Sequence, residues 1–515
     1  MIIIYHKNKN VSKIVSESNG NIPFPLKKSI AFILKAVASQ FPEELIVWCH
    51  EWYKDNLNSA DLPNYFHHHK MILSFNPTDH HYFSSTMGYV EQSPFMNINK
   101  LVRYPTWQMS SAVGAIHASV LLALKKEITP TQDFDYFLNS FAKLSMPKGL
   151  FCYSEPNLLQ GEYVKQAPKS SRMTVYKFVK QHYKLRWLFL LFLNELIFEK
   201  KCSVIPFIVA LFYTSNRKVE VDLDKISIES SLKTLETATI DVIIPTIGRK
   251  AYLYDVLCDL RKQTHLPKNV IIVEQNPLED SVSELDYLTN ENWPFEIKHT
   301  FTHQAGACNA RNIALREIES EWVFFADDDI RFDNKFISMA MNNMSSIGVE
   351  VASFACIQQH EIVPFTNYFQ WNSFGSGCSI AKSTSIEQCK FEVGYEFGFG
   401  EDADFGMQLR KLGVDIYYLP SPYISHLKAP IGGFRTKPTL LWSDEIIQPK
   451  PSPTVMLFNL KHNTIEQLKG YKTILFFKYY KVQKIKNPIT YFFSLHQQWN
   501  KSIFWANELM AKSKF

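Results

Sequence analysis

The chain has 515 residues, with 55 Lys and Arg against 50 Asp and Glu, and 46% of its residues are apolar. That length exceeds one hydrophobic core and predicts two to four domains. The small net charge of +5 excludes a generally basic nucleic-acid binder.

Residues 1–5, Met-Ile-Ile-Ile-Tyr, form too short an apolar run for a signal peptide and read as a first strand. Residues 26–40 have helical spacing. Residues 44–49 read as a strand followed by His50-Glu51, and 110–125 and 134–144 read as helices. Residues 1–164 are therefore expected to be an α/β domain. Residues 165–236 read as a connector. It is basic and helical at first, then apolar, then polar and linker-like. Its apolar runs, 187–198 and 204–213, are interrupted by Glu195, Glu199, Lys200 and Lys201. Each run is shorter than the roughly 20 residues that a spanning helix needs, so no transmembrane helix is predicted. The Lys, Arg and aromatic residues of 176–187 suit a membrane surface, but a packed helix with snorkelling lysines is the preferred reading. The eight cysteines form no Cys-x-x-Cys pair, which predicts reduced thiols and a reducing cytosol.

Residues 237–440 carry the strongest signals. A strand at 239–246 closes on Pro245-Thr246, and a helix over 251–263 follows. A second strand, 269–276, ends in Glu274-Gln-Asn276, and Gly306 opens a helix to Glu319. The apolar run 322–326 then ends abruptly in Asp327, Asp328 and Asp329. Successive strand–helix–strand units predict a parallel sheet with right-handed crossovers. Its ligands are expected at the C-terminal strand ends, where Thr246, Glu274 and the Asp triplet lie. Three adjacent carboxylates at the end of a buried strand repel one another and cost desolvation energy unless a cation joins them. A hard divalent ion suits them; the alternative is a solvated acidic turn.

Three further features accompany the triplet. Gly306-x-x-Asn-Ala-Arg311 puts helix amides and a guanidinium where a diphosphate would be favoured. Glu401-Asp402 opens an amphipathic helix closed by Gly413. His426 lies beyond it, ahead of a Gly432-Gly433 loop. Trp371 and Gly375-Ser-Gly377 either floor an acceptor site or are core and turn. Residues 441–515 predict helices at 465–480 and 489–510 with aromatic faces and basic edges. These either dock on the preceding domain or lie on an anionic membrane.

This ordered set, over residues 239–435, resembles the family 2 glycosyltransferases of GT-A fold. The resemblance implies an α/β GT-A catalytic domain that transfers a sugar, with inversion, from a nucleoside-diphosphate sugar, expected to be a UDP-sugar. The acceptor would be a hydroxyl of a glycan or lipid-linked saccharide. Asp329 would hold Mn²⁺ or Mg²⁺, with Asp327 and His426 completing the shell. Asp327 would also reach the ribose, and Asp328 belongs with the nucleotide-sugar contacts. Pro245, Thr246, Arg249 and Glu274 would line the base and ribose pocket, although the family often has Asp at the position of Glu274. Arg311 would face the diphosphate. Asp402 would be the general base and Glu401 its support. A cytoplasmic enzyme at the inner face of the membrane is expected, with an anionic membrane surface and a second copy of the chain left open as partners. The alternatives are a non-catalytic glycan-binding scaffold and a nucleotidyltransferase, against which no Gly-rich loop with a lysine follows the first strand.

The N-terminal region also echoes this domain. Residues 45–52 align with 322–329, 107–114 loosely with 368–377, and 134–144 with 403–412, at separations of about 277, 263 and 268 residues. His50-Glu51-Trp52 then stand where the second copy has its Asp triplet. The expectation is a degenerate, non-catalytic GT-A-like domain, against an unrelated α/β domain.

Overall fold

In a computed structural model, residues 1–18, 20–25, 28–124, 133–429 and 439–512 are described. The chain divides into two compact units. Unit 1 comprises Met1–Ser231 with Asn463–Lys481, and unit 2 comprises Leu232–His462 with Val482–Phe515.

Unit 1 is built on strands β1 (Ile2–Lys7), β2 (Asn10–Ser16), β3 (Gly20–Asn21), β4 (Leu45–His50), β5 (Met71–Phe75), β6 (Tyr104–Pro105), β7 (Val113–His117) and β8 (Phe151–Ser154). Their order in the sheet is β3-β2-β1-β4-β7-β5-β8-β6. β5 and β7 are buried along their whole length, as strands covered on both faces must be. The helix expected over 110–125 is instead β7 followed by a short helix, Ala118–Leu122; residue 125 lies outside the described residues. An apolar run buried on both faces has no alternation to betray its period. Trp48 on β4 sets the spacing here. Its Nε1 donates to Ser110 O at 2.9 Å, and a Cβ on Gly114 would collide with its ring.

The segment read as a connector divides. Helices Arg172–His182, Leu185–Glu199 and Val204–Leu211 pack within unit 1. Lys177 lies over the Tyr136 and Tyr213 rings, and Lys180 donates to Tyr213 O at 2.8 Å, so this helix is packed and its lysines snorkel. Glu195, placed among apolar neighbours, is buried and accepts from Tyr176 at 2.9 Å and from Ser203 at 2.5 Å. The C-terminal helices also divide. Ile465–Tyr480 belongs to unit 1, where Gln467 Nε2 donates to Glu91 O and Ser93 O. Pro488–Lys512 belongs to unit 2, where Ser502 donates to Pro451 O. Among the described residues, no helix is long and apolar enough to cross a membrane.

Unit 2 carries β9 (Ile240–Thr246), β10 (Asn269–Gln275), β11 (Glu296–Thr302), β12 (Trp322–Ala326), β13 (Ile330–Arg331), β14 (Val351–Gln358), β15 (Phe369–Gln370), β16 (Cys378–Lys382) and β17 (Tyr417–His426). Strands β11-β10-β9-β12 are parallel, as expected. β16 then enters antiparallel between β12 and β14, so the whole sheet is mixed. Buried Asp241 locks the parallel half: it accepts from Asn269 beside it and from the Glu319 and Ser320 N–H groups that lead into β12. The architecture is the α/β class expected: a mixed sheet in unit 2, a second α/β sheet in unit 1, and C-terminal helices.

The two sheets share a plan. β1, β4, β5, β6, β7 and β8 pair with one another as β9, β12, β14, β15, β16 and β17 do, in the same chain order and the same parallel or antiparallel sense. Register agrees too. Cys49 faces Val113 as Ala326 faces Cys378, which sets His50 where Asp327 stands. Asp135 is the second residue of helix Phe134–Ser145, as Asp402 is of helix Glu401–Lys411. Asp135 accepts from Ser111 N at 2.8 Å and Ser111 Oγ at 2.7 Å, and Asp402 likewise has a serine partner, Ser376, although its Oδ1 is left without one. What differs lies before β4 and β12. Unit 1 has a β2–β3 hairpin antiparallel to β1, whereas unit 2 has β10 and β11 parallel to β9.

Burial pushes the Asp135 carboxyl up to about 7, although the Ser111 hydrogen bonds pull against it. The folded chain therefore holds a proton there that the unfolded chain releases near pH 4. Stability from this group falls as pH rises from about 4 to about 7. In Asp135→Asn that loss is expected to vanish, so the wild type's thermal midpoint should drop more between pH 5 and 8 than the variant's.

Candidate functional site

A cleft of about 690 Å³ opens at the C-terminal ends of β9, β10 and β12. Its floor is the Asp triplet, and each carboxylate meets a cation. Asp328 is buried and accepts from Thr246 Oγ1 at 2.7 Å and from Arg249 Nη1 at 2.5 Å. Burial pushes its carboxyl up to about 6, against the pull of Arg249 and Thr246. Asp329 accepts from Ala429 N–H at 3.0 Å and lies 2.9 Å from Arg249 and 3.3 Å from His426 Nε2. Burial opposes its ionisation, but these partners outweigh burial and hold it below the ordinary carboxylate value. The hydrogen bond to Asp329 correspondingly raises His426. Asp327 is more open and pairs with Arg311 Nη2 at 3.0 Å.

The pairing of β13 with β17 sets Ile330 opposite His426, which brings the imidazole beside the triplet from about a hundred residues away. The pairing of β16 with β12 brings Gly377 against Asp327, whose carboxylate a Cβ at 377 would strike. One ligand atom each from Asp327, Asp329 and His426 lies within 4.8 Å of the others. Two carboxylates and an imidazole are a donor set that suits Mn²⁺ or Mg²⁺. The Gly432-Gly433 loop and Arg435 lie outside the described residues.

Arg311 is buried on helix Ala307–Leu315, its guanidinium over the Phe391 ring, and its Nε has no hydrogen-bond partner. The start of that helix, read as a diphosphate seat, already holds an anion of the chain itself. Glu396 accepts from Cys308 N–H at 3.1 Å and Asn309 N–H at 3.0 Å. Gly306, at φ 149°, permits this approach, since a Cβ there would strike the Glu396 carboxyl.

On the opposite wall, Glu401 lines the cleft, whereas Asp402, next in the chain, does not belong to the lining. Both carboxyls are raised, chiefly by burial, and Glu401 further by the charge of Asp402. Arg311 and Ser376 oppose the rise at Asp402, and its buried Oδ1 has no hydrogen-bond partner. The helix is anchored by Asp404, which accepts from His462 at 2.6 Å and Tyr395 at 3.1 Å and pairs with Lys461 at 2.8 Å. Against burial, these partners hold Asp404 down to about 2.

Pro245, Thr246, Arg249, Arg311, the Asp triplet, Glu401 and His426 all line the cleft. Glu274 does not. It turns to Ser283, the Glu284 N–H and His299, while its neighbour Gln275 faces the cleft and accepts from Gly306 N–H at 2.6 Å. Successive residues of a strand point to opposite faces, so a one-residue error in phase hid Gln275. Trp371 is also away from the cleft lining, in a cluster with Phe365, Phe369 and Tyr418. Glu396 gave no signal beyond its glycine-flanked setting, because its partners are some 88 residues away.

Residues 241–386 match the Glycosyl transferase family 2 model. An uncharacterized glycosyltransferase of Haemophilus influenzae is 33% identical over 90 residues, 18% of this chain; the match spans only 29% of that relative's length. Among solved structures, Staphylococcus aureus TarS 1–349 in complex with UDP-GlcNAc is 19% identical, with a TM-score of 0.32, covering 45% of this chain and 69% of that one. GalNAc-T7 with UDP, GalNAc and Mn²⁺ is 13% identical, with a TM-score of 0.31, covering 40% and 48%. Residues 241–386 are thus a family 2 glycosyltransferase domain.

The Ser376 hydrogen bonds favour ionised Asp402. Removing the hydroxyl in Ser376→Ala is therefore expected to raise the Asp402 pKa. Donor turnover measured against pH should show its acid limb moved to higher pH, with little change on the alkaline side.

Proposed function

We propose that this chain, organised around its family 2 domain, transfers a sugar with inversion from a nucleoside-diphosphate sugar to a hydroxyl of a glycan or lipid-linked saccharide. A UDP-sugar is the proposed donor. The observation that carries this reading is a cleft whose floor joins three carboxylates with Arg249, Arg311 and His426 and whose wall is the start of the Glu401-Asp402 helix. Arg311, Asp327, Asp329, His426 and Glu401 line one cleft, and the buried Oδ1 of Asp402, next to Glu401, has no hydrogen-bond partner.

Asp402, raised towards neutrality, takes the proton of the acceptor hydroxyl. The acceptor oxygen bonds to the anomeric carbon as the bond to the diphosphate oxygen breaks on the far side, which inverts that centre. Arg311, which lines the cleft, holds the departing diphosphate. Thr246 and Arg249 keep the buried Asp328 satisfied at the nucleotide end. Asp327, Asp329 and His426 would hold Mn²⁺ or Mg²⁺, which neutralises charge on a leaving diphosphate. The enzyme is proposed to be cytoplasmic, with its cysteines as free thiols.

Unit 1 is proposed to be a non-catalytic copy of the same sheet. It has His50, Glu51 and Trp52 at the place of the triplet. Leu34 precedes β4 by the interval at which Arg311 precedes β12. Its Asp135 is buried against Ser111.

Donor turnover over UDP-, GDP- and dTDP-sugars with Mn²⁺ tests the reading. Asp402→Asn should lose roughly 10²- to 10⁴-fold in kcat, the range of a lost general base, while Asp135→Asn should keep wild-type turnover. Equal losses in both variants, or none in Asp402→Asn, would refute the assignment. Separately, Asp329→Ala should weaken Mn²⁺ binding, followed by electron paramagnetic resonance, by at least ~10-fold.

A further inference from the structure

We propose that unit 1 docks on an anionic lipid bilayer through the outer face of helices Leu185–Glu199 and Val204–Leu211. The first helix buries only Leu188, Leu191, Asn194 and Glu195. On its other side Leu185, Phe189, Leu196 and Ile197 are exposed. The second helix buries only Ala210. Ile205 is 70% exposed, Ile208 48% and Phe212, just past its end, 84%. Phe207 packs on both Phe189 and Phe192, at ring-centroid distances of 5.0 and 5.2 Å, so the two apolar faces join. Continuous exposure on this scale marks a docking surface rather than scattered surface residues.

Charge selects the occupant. Exposed Lys184 and Arg186 precede the first helix face, Lys200 and Lys201 stand at the joint, and Arg217 and Lys218 follow the second helix. The two carboxylates of this stretch are engaged. Glu195 is buried against Tyr176 and Ser203, and Glu199 pairs with Lys201 at 2.8 Å. An apolar face rimmed by an excess of positive charge fits anionic headgroups above acyl chains. A second copy of the chain would set the same cations against one another. At 1.5 Å per residue the helices reach roughly 22 and 12 Å, short of the ~30 Å hydrocarbon core, so they lie in the interface and do not cross it. Half-buried Trp187, with Arg186 over its ring at 5.7 Å, has the amphipathic character favoured at that depth. This surface is independent of the proposed sugar transfer, and a binding readout separates failure of one from failure of the other.

Flotation of the full chain with vesicles is the test. Vesicles of phosphatidylcholine containing about 30 mol % phosphatidylglycerol should carry the protein up, and pure phosphatidylcholine should carry at least ~10-fold less. The Ile205→Glu, Ile208→Glu double variant and, separately, Lys200→Glu, Lys201→Glu should each lose ~10-fold or more of the bound fraction. Both should keep wild-type thermal midpoints and donor turnover in solution. Wild type that fails to float with anionic vesicles would overturn the proposal, as would variants that float like wild type. So would a wild-type dimer, by light scattering, that Ile205→Glu, Ile208→Glu converts to monomer.

Discussion

Three consecutive carboxylates at the end of a buried strand impose the constraint on which unit 2 depends. Left alone, they would repel one another at low dielectric. Partners from three parts of the chain answer them: Arg311 for Asp327, Arg249 for Asp328, and Arg249 with His426 for Asp329. Arg249 follows β9, Arg311 lies on the helix before β12, and His426 ends β17. Neutralising the triplet therefore requires the parallel and antiparallel halves of the sheet at once. Removing one partner of a buried pair costs about 3–5 kcal/mol, because the remaining charge stays buried. The same close assembly makes Gly377 and Gly306 necessary, one against Asp327 and the other against Glu396.

Unit 1 shows what this sheet does without that constraint. At the matching strand end rings replace charges: His50 lies against His6 at 5.1 Å and against Trp52 at 4.1 Å. Leu34, fully buried, precedes β4 where a guanidinium precedes β12. Asp135 keeps its serine partner but is enclosed, and burial lifts it to about 7. Strand order and the residues at the strand ends thus vary separately within one chain, as expected where sites are grafted on scaffolds.

Much of the cleft was legible because its signals are local. An apolar run ending in three Asp residues, a Glu-Asp pair opening a helix, and Pro-Thr closing a strand all declare themselves within ten residues. Legibility failed where the deciding contact is distant or the phase is ambiguous. Residues 113–117 are strand β7, held at its two edges by β4 and β5 and buried along its whole length. Gln275 rather than Glu274 lines the cleft through the strand's alternation. Trp371 joined an aromatic cluster that the fold assembles from β15 and β17.

By itself, the sequence determined the candidate site residues, their order and the short elements that present them, since periodicity, caps and charge clusters act over a few residues. It also carried the echo between residues 45–52 and 322–329, because buried strands retain their apolar pattern after the polar end has changed. Only the tertiary structure decided which of these groups meet. The β13–β17 pairing places His426 beside Asp329, the β12–β16 register lays Gly377 on Asp327, and the fold inserts Glu396 into the helix start that would otherwise face the cleft unoccupied. Strand pairing and burial bring together residues far apart in the chain, and no local pattern encodes that meeting.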